Sequence, residues 1–421
     1  MLILLKQFLL VGFWFYPETN GEQRKALIKK MPQIKPEVET FARIKVLGVG
    51  GSGKNAVNHM INSKVKGVEF IAINTDAQDL HQSLASKKIH IGKNLTRGLG
   101  TGMSPELGRK AAEETKEEIQ EMIKGADMVF VSCGTGGGTG SGGSPVVAKT
   151  AKEMGILTIA VVTKPFTFEG TQRAKISEQA LEELRKSVDA IIIIPNDRIL
   201  ATISRDTTAK NAFAMCDDIL KQAVEGISDL ITMPGIIKNI DFADIRAILE
   251  NAGSALMGIG TASGEKRAEE AARMAINSPL LELSINGAKG VLFSIAGGDD
   301  LTLFEIQDAA RIITESVDPN AKVIFGTVNN EKLKKNEIQI TVIASGFADI
   351  PVKKSLFQSV MNQKQEEKED KKSSKLFTSA TINTPEKETK AEHTAEPKKE
   401  IKDEEDDWGA VPAFLRRSKI K

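Results

Sequence analysis

Gly134-Thr135-Gly136-Gly137-Gly138-Thr139-Gly140-Ser141-Gly142-Gly143 is the stretch on which the reading of this chain turns. It follows the apolar run Met128-Val129-Phe130-Val131-Ser132, which predicts a buried strand. It precedes Pro145-Val146-Val147-Ala148, where Ser144 as N-cap and Pro145 at the first helical position predict a helix start. Seven glycines in ten residues permit positive φ almost anywhere and leave no Cβ in the way of a close approach. A loop between a strand end and a helix N-terminus lets backbone N–H groups converge on an anion that the helix dipole also favours. The expectation is a phosphate site. A flexible linker is the competing reading, but linkers rarely lie between a buried strand and a capped helix.

Two more glycine-rich loops flank this one. Ile44-Lys45-Val46-Leu47-Gly48-Val49 predicts a first buried strand that runs into Gly50-Gly51-Ser52-Gly53-Lys54-Asn55, with a helix through Ala56–Ile61. Thr96-Arg97-Gly98-Leu99-Gly100-Thr101-Gly102-Met103 follows short strands at 70–74 and 89–91. Further strands are expected at 156–162 and 190–194, and a helix over Pro105–Lys124 with Ser104 as N-cap. Short apolar strands alternating with helices mean parallel pairing with both faces covered. The fold class expected is therefore α/β, with a parallel-sheet nucleotide-binding domain over about 41–207.

Thr208–Ile231 predicts one long helix, with Phe213, Cys216, Ile219, Leu220, Ala223, Val224, Ile227 and Leu230 at helical spacing. The stripe is broad enough to pack on two sides, which makes 208–233 a central helix, with Pro234-Gly235 as its stop. A second, smaller α/β domain is expected over 234–350, with strands at 291–295, 322–326 and 338–343 and helices near 242–251, 266–276 and 302–316. From 351 to 403 Lys, Glu, Ser and Thr dominate, which predicts a disordered linker. Apolar and basic residues return in 404–421 as a candidate docking peptide.

Composition narrows the function. A formal net charge of +1 over 421 residues gives no electrostatic footprint for nucleic acid. Two cysteines exclude a disulfide framework and fit a reducing compartment. Residues 1–40 form an N-terminal extension. Its first 16 residues are nearly all apolar but shorter than a bilayer span. They could be an interfacial anchor, a degenerate signal or a segment upstream of the true start; Met31, which begins a polar lead into the first strand, favours the last. No other stretch is apolar and long enough for a direct membrane span.

Gly48-Val49-Gly50-Gly51-Ser52-Gly53 fits G-x-G-x-x-G, with Asp76 at the end of the second strand where a ribose-binding acid would stand. That is the reading of an NAD-dependent oxidoreductase. Gly53-Lys54 also nearly fits a P-loop, but Asn55 stands where that loop needs a hydroxyl for Mg²⁺. Neither reading explains 134–143. Three glycine-rich loops at one end of a parallel sheet can instead surround a di- or triphosphate with backbone donors, with only Lys54 and Arg97 nearby as cations.

Gly136-Gly137-Gly138-Thr139-Gly140-Ser141-Gly142 resembles the signature of the tubulin/FtsZ GTPase superfamily, and residues 43–347 resemble its bacterial cell-division branch. The likeness extends through Asn74–Gln78, Thr96–Gly100, Thr163–Phe166, Phe168–Gly170, Ile194–Asp197 and Gly253–Gly258. It implies a GTPase that binds GTP/GDP with Mg²⁺, polymerises head to tail with itself, and forms the cytoplasmic scaffold of the division ring on the inner face of the membrane. It implies that Gly51, Ser52, Gly53, Lys54 and Asn55 lie against the phosphates and base, and that Gly100, Thr101 and Gly102 sit near the γ-phosphate. Gly136 and Gly137 belong to the signature, and Gly138, Thr139 and Gly140 would cradle the α- and β-phosphates. Glu169 and Arg173 would meet the ribose; Asn196, Phe213 and Asp217 would line the guanine pocket. The last assignments are chemically sound, because a carboxylate accepts from guanine N1–H and N2–H₂ while adenine offers no such pair. Phe213 lies one turn before Asp217 and can stack on the base.

The resemblance also implies that Asp241 and Asp244, with Asn239, enter the nucleotide site of the next subunit as catalytic residues and position the attacking water. Without it, Asp241-Phe242-Ala243-Asp244 reads as an N-cap with acids in a first turn. The end peptide resembles the family's docking motif, implying membrane-tethering adaptors that hold Val411, Pro412, Phe414, Leu415 and Arg416. Three departures stand out: an extra residue between Gly235 and Asp241, Lys54 where a small or amide residue is common, and Gly143-Ser144 in place of small apolar residues. The alternatives remain the oxidoreductase and a nucleotide-bound filament former that does not hydrolyse; Asp241 and Asp244 argue against the latter.

Overall fold

A computed structural model describes residues 42–347 except 201–202, 205, 233–239, 279–284, 299, 330–332 and 335. The expectations for the N-terminal extension, the Pro234-Gly235 stop, Asn239, the linker and the docking peptide lie outside the described residues.

Ten strands form one sheet: β1 Ile44–Val49, β2 Val68–Asn74, β3 Lys87–His90, β4 Met128–Gly134, β5 Leu157–Lys164, β6 Ala190–Pro195, β7 Gly253–Ser263, β8 Gly290–Gly297, β9 Lys322–Asn329 and β10 Glu337–Ser345. Their order is β3-β2-β1-β4-β5-β6-β7-β10-β8-β9. Every pair from β3 to β7 is parallel, β10 runs antiparallel to β7 and β8, and β8 and β9 are parallel. The first half is thus the expected parallel α/β layer, and the second half is mixed.

The central strands read as unbroken apolar runs because both of their faces are buried. Val46, Phe130, Ile159 and Ile192 point to one face, where the long helix Ala209–Thr232 packs with Cys216, Leu220, Val224 and Ile227. Leu47, Val131, Ala160 and Ile191 point to the other, against Ala111, Ile119, Val147 and Leu184. The long helix touches the Gly50–Asn62 helix and β5 on one flank and β9 on the other, the two-sided packing its broad stripe predicts.

Four local expectations are corrected. The helix after β4 begins at Thr139 with Gly138 as N-cap, so Ser144 and Pro145 lie inside it. Ser144 Oγ donates back to the Gly140 carbonyl rather than capping. Secondly, the helix after β1 begins at Gly50, so its glycines are the helix's first turn rather than a loop before it. Thirdly, the segment after Ser104 is two helices, Pro105–Glu114 and Lys116–Ile123; at the junction Thr115 Oγ1 donates to the Ala111 carbonyl and accepts from Gly92 N–H. Finally, β7 was not expected as a strand because glycine weakens the strand signal. Gly258 and Gly260 serve close packing there, since a Cβ on either would collide with the Ala275 or Ala271 carbonyl of the helix Arg267–Ile276.

Candidate functional site

Parallel strands leave their C-terminal ends on one edge, where α/β sheets bind ligands. A cavity of about 380 Å³ lies on that edge. The ends of β1, β4 and β5 supply Val49, Gly134 and Thr163. The start of the Gly50–Asn62 helix supplies Gly50, Gly51, Ser52 and Asn55, the loop after β4 supplies Thr135, Gly137 and Gly138, and the next helix begins with Thr139 and Gly140. Thr101, Pro165, Glu169, Arg173, Asn196, Phe213, Cys216 and Asp217 complete the wall.

Two helices aim their N-termini at this cavity, each with orphan N–H donors and the positive end of its dipole. The glycines let the backbone come close rather than turn left: among 134–143 only Gly136 has positive φ, at 95°. A Cβ on Gly138 would strike Thr101 Oγ1, and one on Gly142 the Pro105 carbonyl. Gly48 and Gly53 likewise let the first helix lie on β1 and β4. The G-x-G-x-x-G pattern is therefore explained by packing at Gly48 and Gly53 and by a left-handed φ of 75° at Gly50. A Cβ on Gly137 would meet no protein atom within 4 Å, so its missing side chain leaves space for a ligand.

Three hydroxyls knit the loops together. Thr139 Oγ1 lies 2.7 Å from Thr75 Oγ1 and 3.3 Å from Thr101 Oγ1, and all three residues are buried. Thr75 was not singled out as a site residue, although it stands directly after β2 and inside the Asn74–Gln78 stretch that carries the family likeness. Thr135 Oγ1 donates to the Thr163 carbonyl at 2.7 Å, and Ser141 Oγ accepts from Gly136 N–H at 2.9 Å.

At the other end the wall is made of side chains. Arg173 Nη1 is 2.6 Å from Glu169 Oε2, and Glu169 Oε1 accepts from Phe166 N–H. Phe166 meets Phe213 edge-on at 5.3 Å, leaving Phe213 nearly half exposed toward the opening. Asn196 Oδ1 is buried and finds no hydrogen-bond partner among the described residues. Such an atom normally has a partner, so a ligand donor would complete it. Burial pushes the Asp217 carboxyl up to about 6, opposed by the nearby charge of His59. Two N–H donors from a ligand would reverse that cost by favouring the carboxylate.

Of the anticipated residues, Gly51, Ser52, Asn55, Thr101, Gly137, Gly138, Thr139, Gly140, Glu169, Arg173, Asn196, Phe213 and Asp217 line one cavity. Gly53, Gly100, Gly102 and Gly136 do not line it. Lys54 does not either: its ammonium is buried 2.6 Å from Asp79 Oδ1, so it is no free phosphate cation in this structure. Thr163, Pro165 and Cys216 were missed as wall residues, whereas Val49, Gly50, Gly134 and Thr135 lie within the glycine-rich stretches read as phosphate loops without being singled out.

Asp241 and Asp244 are elsewhere. Asp241 caps the helix Phe242–Leu249 by accepting from Asp244 N–H at 2.8 Å. That helix leads into β7, whose Gly253 donates to the Asp189 carbonyl just before β6 begins. Its Ile248 carbonyl accepts from Ser345 at the end of antiparallel β10. These contacts belong to the sheet edge where the parallel strands start. The long helix joins the two edges: Phe213, Cys216 and Asp217 line the cavity, and Thr232 packs on Gly67, directly before β2. Asp217 and Thr232 are about 22 Å apart along it. Among the described residues no group of three or more His, Cys, Asp or Glu could hold a metal ion, and no helix is long and apolar enough to cross a membrane.

The sequence profile of the Tubulin/FtsZ family GTPase domain matches residues 43–204, and that of the FtsZ family C-terminal domain matches 253–348. An empty FtsZ dimer from M. jannaschii is 42% identical, with 78% of this chain and 93% of that chain covered and a TM-score of 0.70. The chain belongs to the tubulin/FtsZ family. It is a GTPase, and its family binds GTP and GDP. A tryptophan-to-tyrosine mutant of FtsZ from M. jannaschii is 43% identical over 77% of this chain and 96% of that one, with a TM-score of 0.69. CetZ2 from Haloferax volcanii, solved as a GTPγS-bound protofilament, shares the fold at 21% identity, covering 78% of this chain and 99% of that chain with a TM-score of 0.63. The dimer and protofilament among these relatives associate with copies of themselves.

Proposed function

We propose that this GTPase polymerises head to tail and hydrolyses GTP at the junction between subunits, as the scaffold of a prokaryotic division ring. One observation carries the reading: the cavity lies at one edge of the sheet, and the Asp241–Asp244 pair, absent from its wall, heads a helix whose other end is tied to the edge where the parallel strands begin. A single chain thus holds a binding half and an acidic half that do not meet within it. Stacking copies along the strand direction brings the acids of one onto the cavity of the next.

In this reading the backbone donors of Gly51, Ser52 and Gly137–Gly140 hold the phosphates. Glu169 and Arg173 hold the ribose, and Asn196, Phe213 and Asp217 hold guanine. Adenine is rejected because it cannot donate twice to Asp217. Asp241 and Asp244, with Asn239, orient the water; phosphoryl transfer needs alignment and charge stabilisation rather than a covalent group on the enzyme. Mg²⁺ fits this donor set, since it takes few protein ligands beside phosphate oxygens and water, and the Thr101 and Thr139 hydroxyls are the oxygen donors at hand. It would neutralise charge on the β- and γ-phosphates. The regions 41–207, 208–233 and 234–350 act as binding domain, central helix and activating domain. The 351–403 segment tethers a 404–421 peptide to membrane-bound adaptors, which places the polymer at the cytoplasmic face of the division site.

The test is sedimentation of purified protein with GTP and with GDP. Polymer that pellets with GTP and disperses as GTP is consumed is the expected result. Protein that stays monomeric with GTP at high concentration contradicts the reading.

A further inference from the structure

Lys54 stands where a phosphate-binding lysine would follow a glycine turn, yet it is turned away from the cavity. Its ammonium is buried against Asp79 Oδ1 at 2.6 Å. The second Asp79 oxygen accepts from Asn74 Nδ2 at 2.8 Å, and Asn74 Oδ1 accepts from Thr75 N–H. Asp79 N–H donates to Asp76, which caps the helix Ala77–His81. The carboxylate is thus fixed by three elements. It also lies against the cavity wall, since a Cβ on Gly51 would sit 3.6 Å from Asp79 Oδ2.

A fixed carboxylate beside the N-terminus of a phosphate helix repels a polyphosphate unless it is neutralised. A buried, unpaired lysine beside the same site would seek the phosphates instead. We propose that Asp79 and Lys54 form a charge lock, in which Asp79 withholds Lys54 from the nucleotide and Lys54 cancels the charge of Asp79. The phosphates are then held by neutral backbone donors, and neither GTP nor GDP is bound too tightly to turn over. Asp79 and Lys54 act as positioning residues through the field they set. This inference rests on the guanine-nucleotide reading of the cavity.

The lock predicts effects of opposite sign. Asp79→Asn frees the lysine and should tighten binding of a slowly hydrolysed GTP analogue on the order of tenfold, and of GDP less, because the triphosphate carries one more negative charge. Lys54→Met exposes the carboxylate and should weaken both by comparable factors, again more for the triphosphate. The double variant, with neither charge, should return to within about twofold of the parent. Equilibrium binding of the fluorescent GTP analogue and fluorescent GDP to dilute full-length protein measures all four. Weakening by both single variants, no change in Asp79→Asn, or an unrestored double variant overturns the lock. If Lys54→Met does not fold, the sign of the Asp79→Asn change and the neutral double variant still decide. A parent that binds neither guanine nucleotide contradicts the reading of the cavity instead.

Discussion

The two edges of the sheet are built in opposite ways. At the edge where the parallel strands end, one half of the wall is backbone and neutral hydroxyls, the other half carries Glu169 held by Arg173 together with Asp217, and Asp79 behind the wall is held by Lys54. The helix whose C-terminal end is tied to the edge where those strands begin carries an exposed Asp241 at its N-terminus and Asp244 in its first turn. The first edge offers backbone donors for a phosphate chain, and its wall carboxylates, Glu169 and Asp217, stand among the side chains at the other end of the cavity. The second offers carboxylates, and neither Asp241 nor Asp244 lines the cavity at the first edge. On the proposed function, binding and hydrolysis are therefore separable within one chain.

The sharpest break of that comparison is to disable each edge in turn. Asp241→Ala is expected to lower GTP turnover by about 100-fold or more, as loss of a group that orients the nucleophile does, while GDP affinity stays within twofold. Asp217→Ala should instead lose nucleotide affinity. Mixing the two variants should restore part of the turnover, because some junctions then pair an intact cavity with an intact acid pair. A mixture as inactive as its parts would mean that both groups act within one chain.

Asp217 sharpens the binding half. Asp217→Asn should cut the preference for GTP over ATP by about 100-fold, since a half-buried acceptor for two donors is lost. The pH dependence has a definite sign. On the proposed reading guanine donates to the carboxylate, so the ligand binds the charged form, and protonation near pH 6 competes with it. GDP affinity should be level above about pH 7 and fall toward tenfold per unit well below 6, and this fall should vanish in Asp217→Asn. Equilibrium binding across pH checks both.

The smallest effects separate packing from binding among the glycines. Gly142→Ala pushes a Cβ into the Pro105 carbonyl and should cost about 1–3 kcal/mol of stability, read from denaturant unfolding. Gly137→Ala meets no protein atom, so it should unfold like the parent while GDP binding weakens several-fold.

Those glycines also mark where sequence reading reached and where it stopped. The strand, loop and helix order around 134–143 was legible because buried parallel strands are continuous apolar runs. The start of the Thr139–Glu153 helix was not, because Ser144 and Pro145 imitate a helix start. What actually sets it is tertiary: Gly138, Gly140 and Gly142 pack against Thr101, the Gly134 carbonyl and the Pro105 carbonyl. β7 was hidden for the same reason, with Gly258 and Gly260 given over to contact with a helix. In the cavity, Asn196, Phe213 and Asp217 came from the family resemblance, and the structure brings them together. The Lys54–Asp79 pair was invisible, since 25 residues separate partners that only the parallel pairing of β1 and β2 draws together.

The most direct test of a site shared between subunits is phosphate release from GTP per subunit as a function of protein concentration. The account predicts a specific rate near zero below a threshold and rising above it, as junctions form. A specific rate that is the same at all concentrations would mean that each chain hydrolyses GTP alone, and would contradict it.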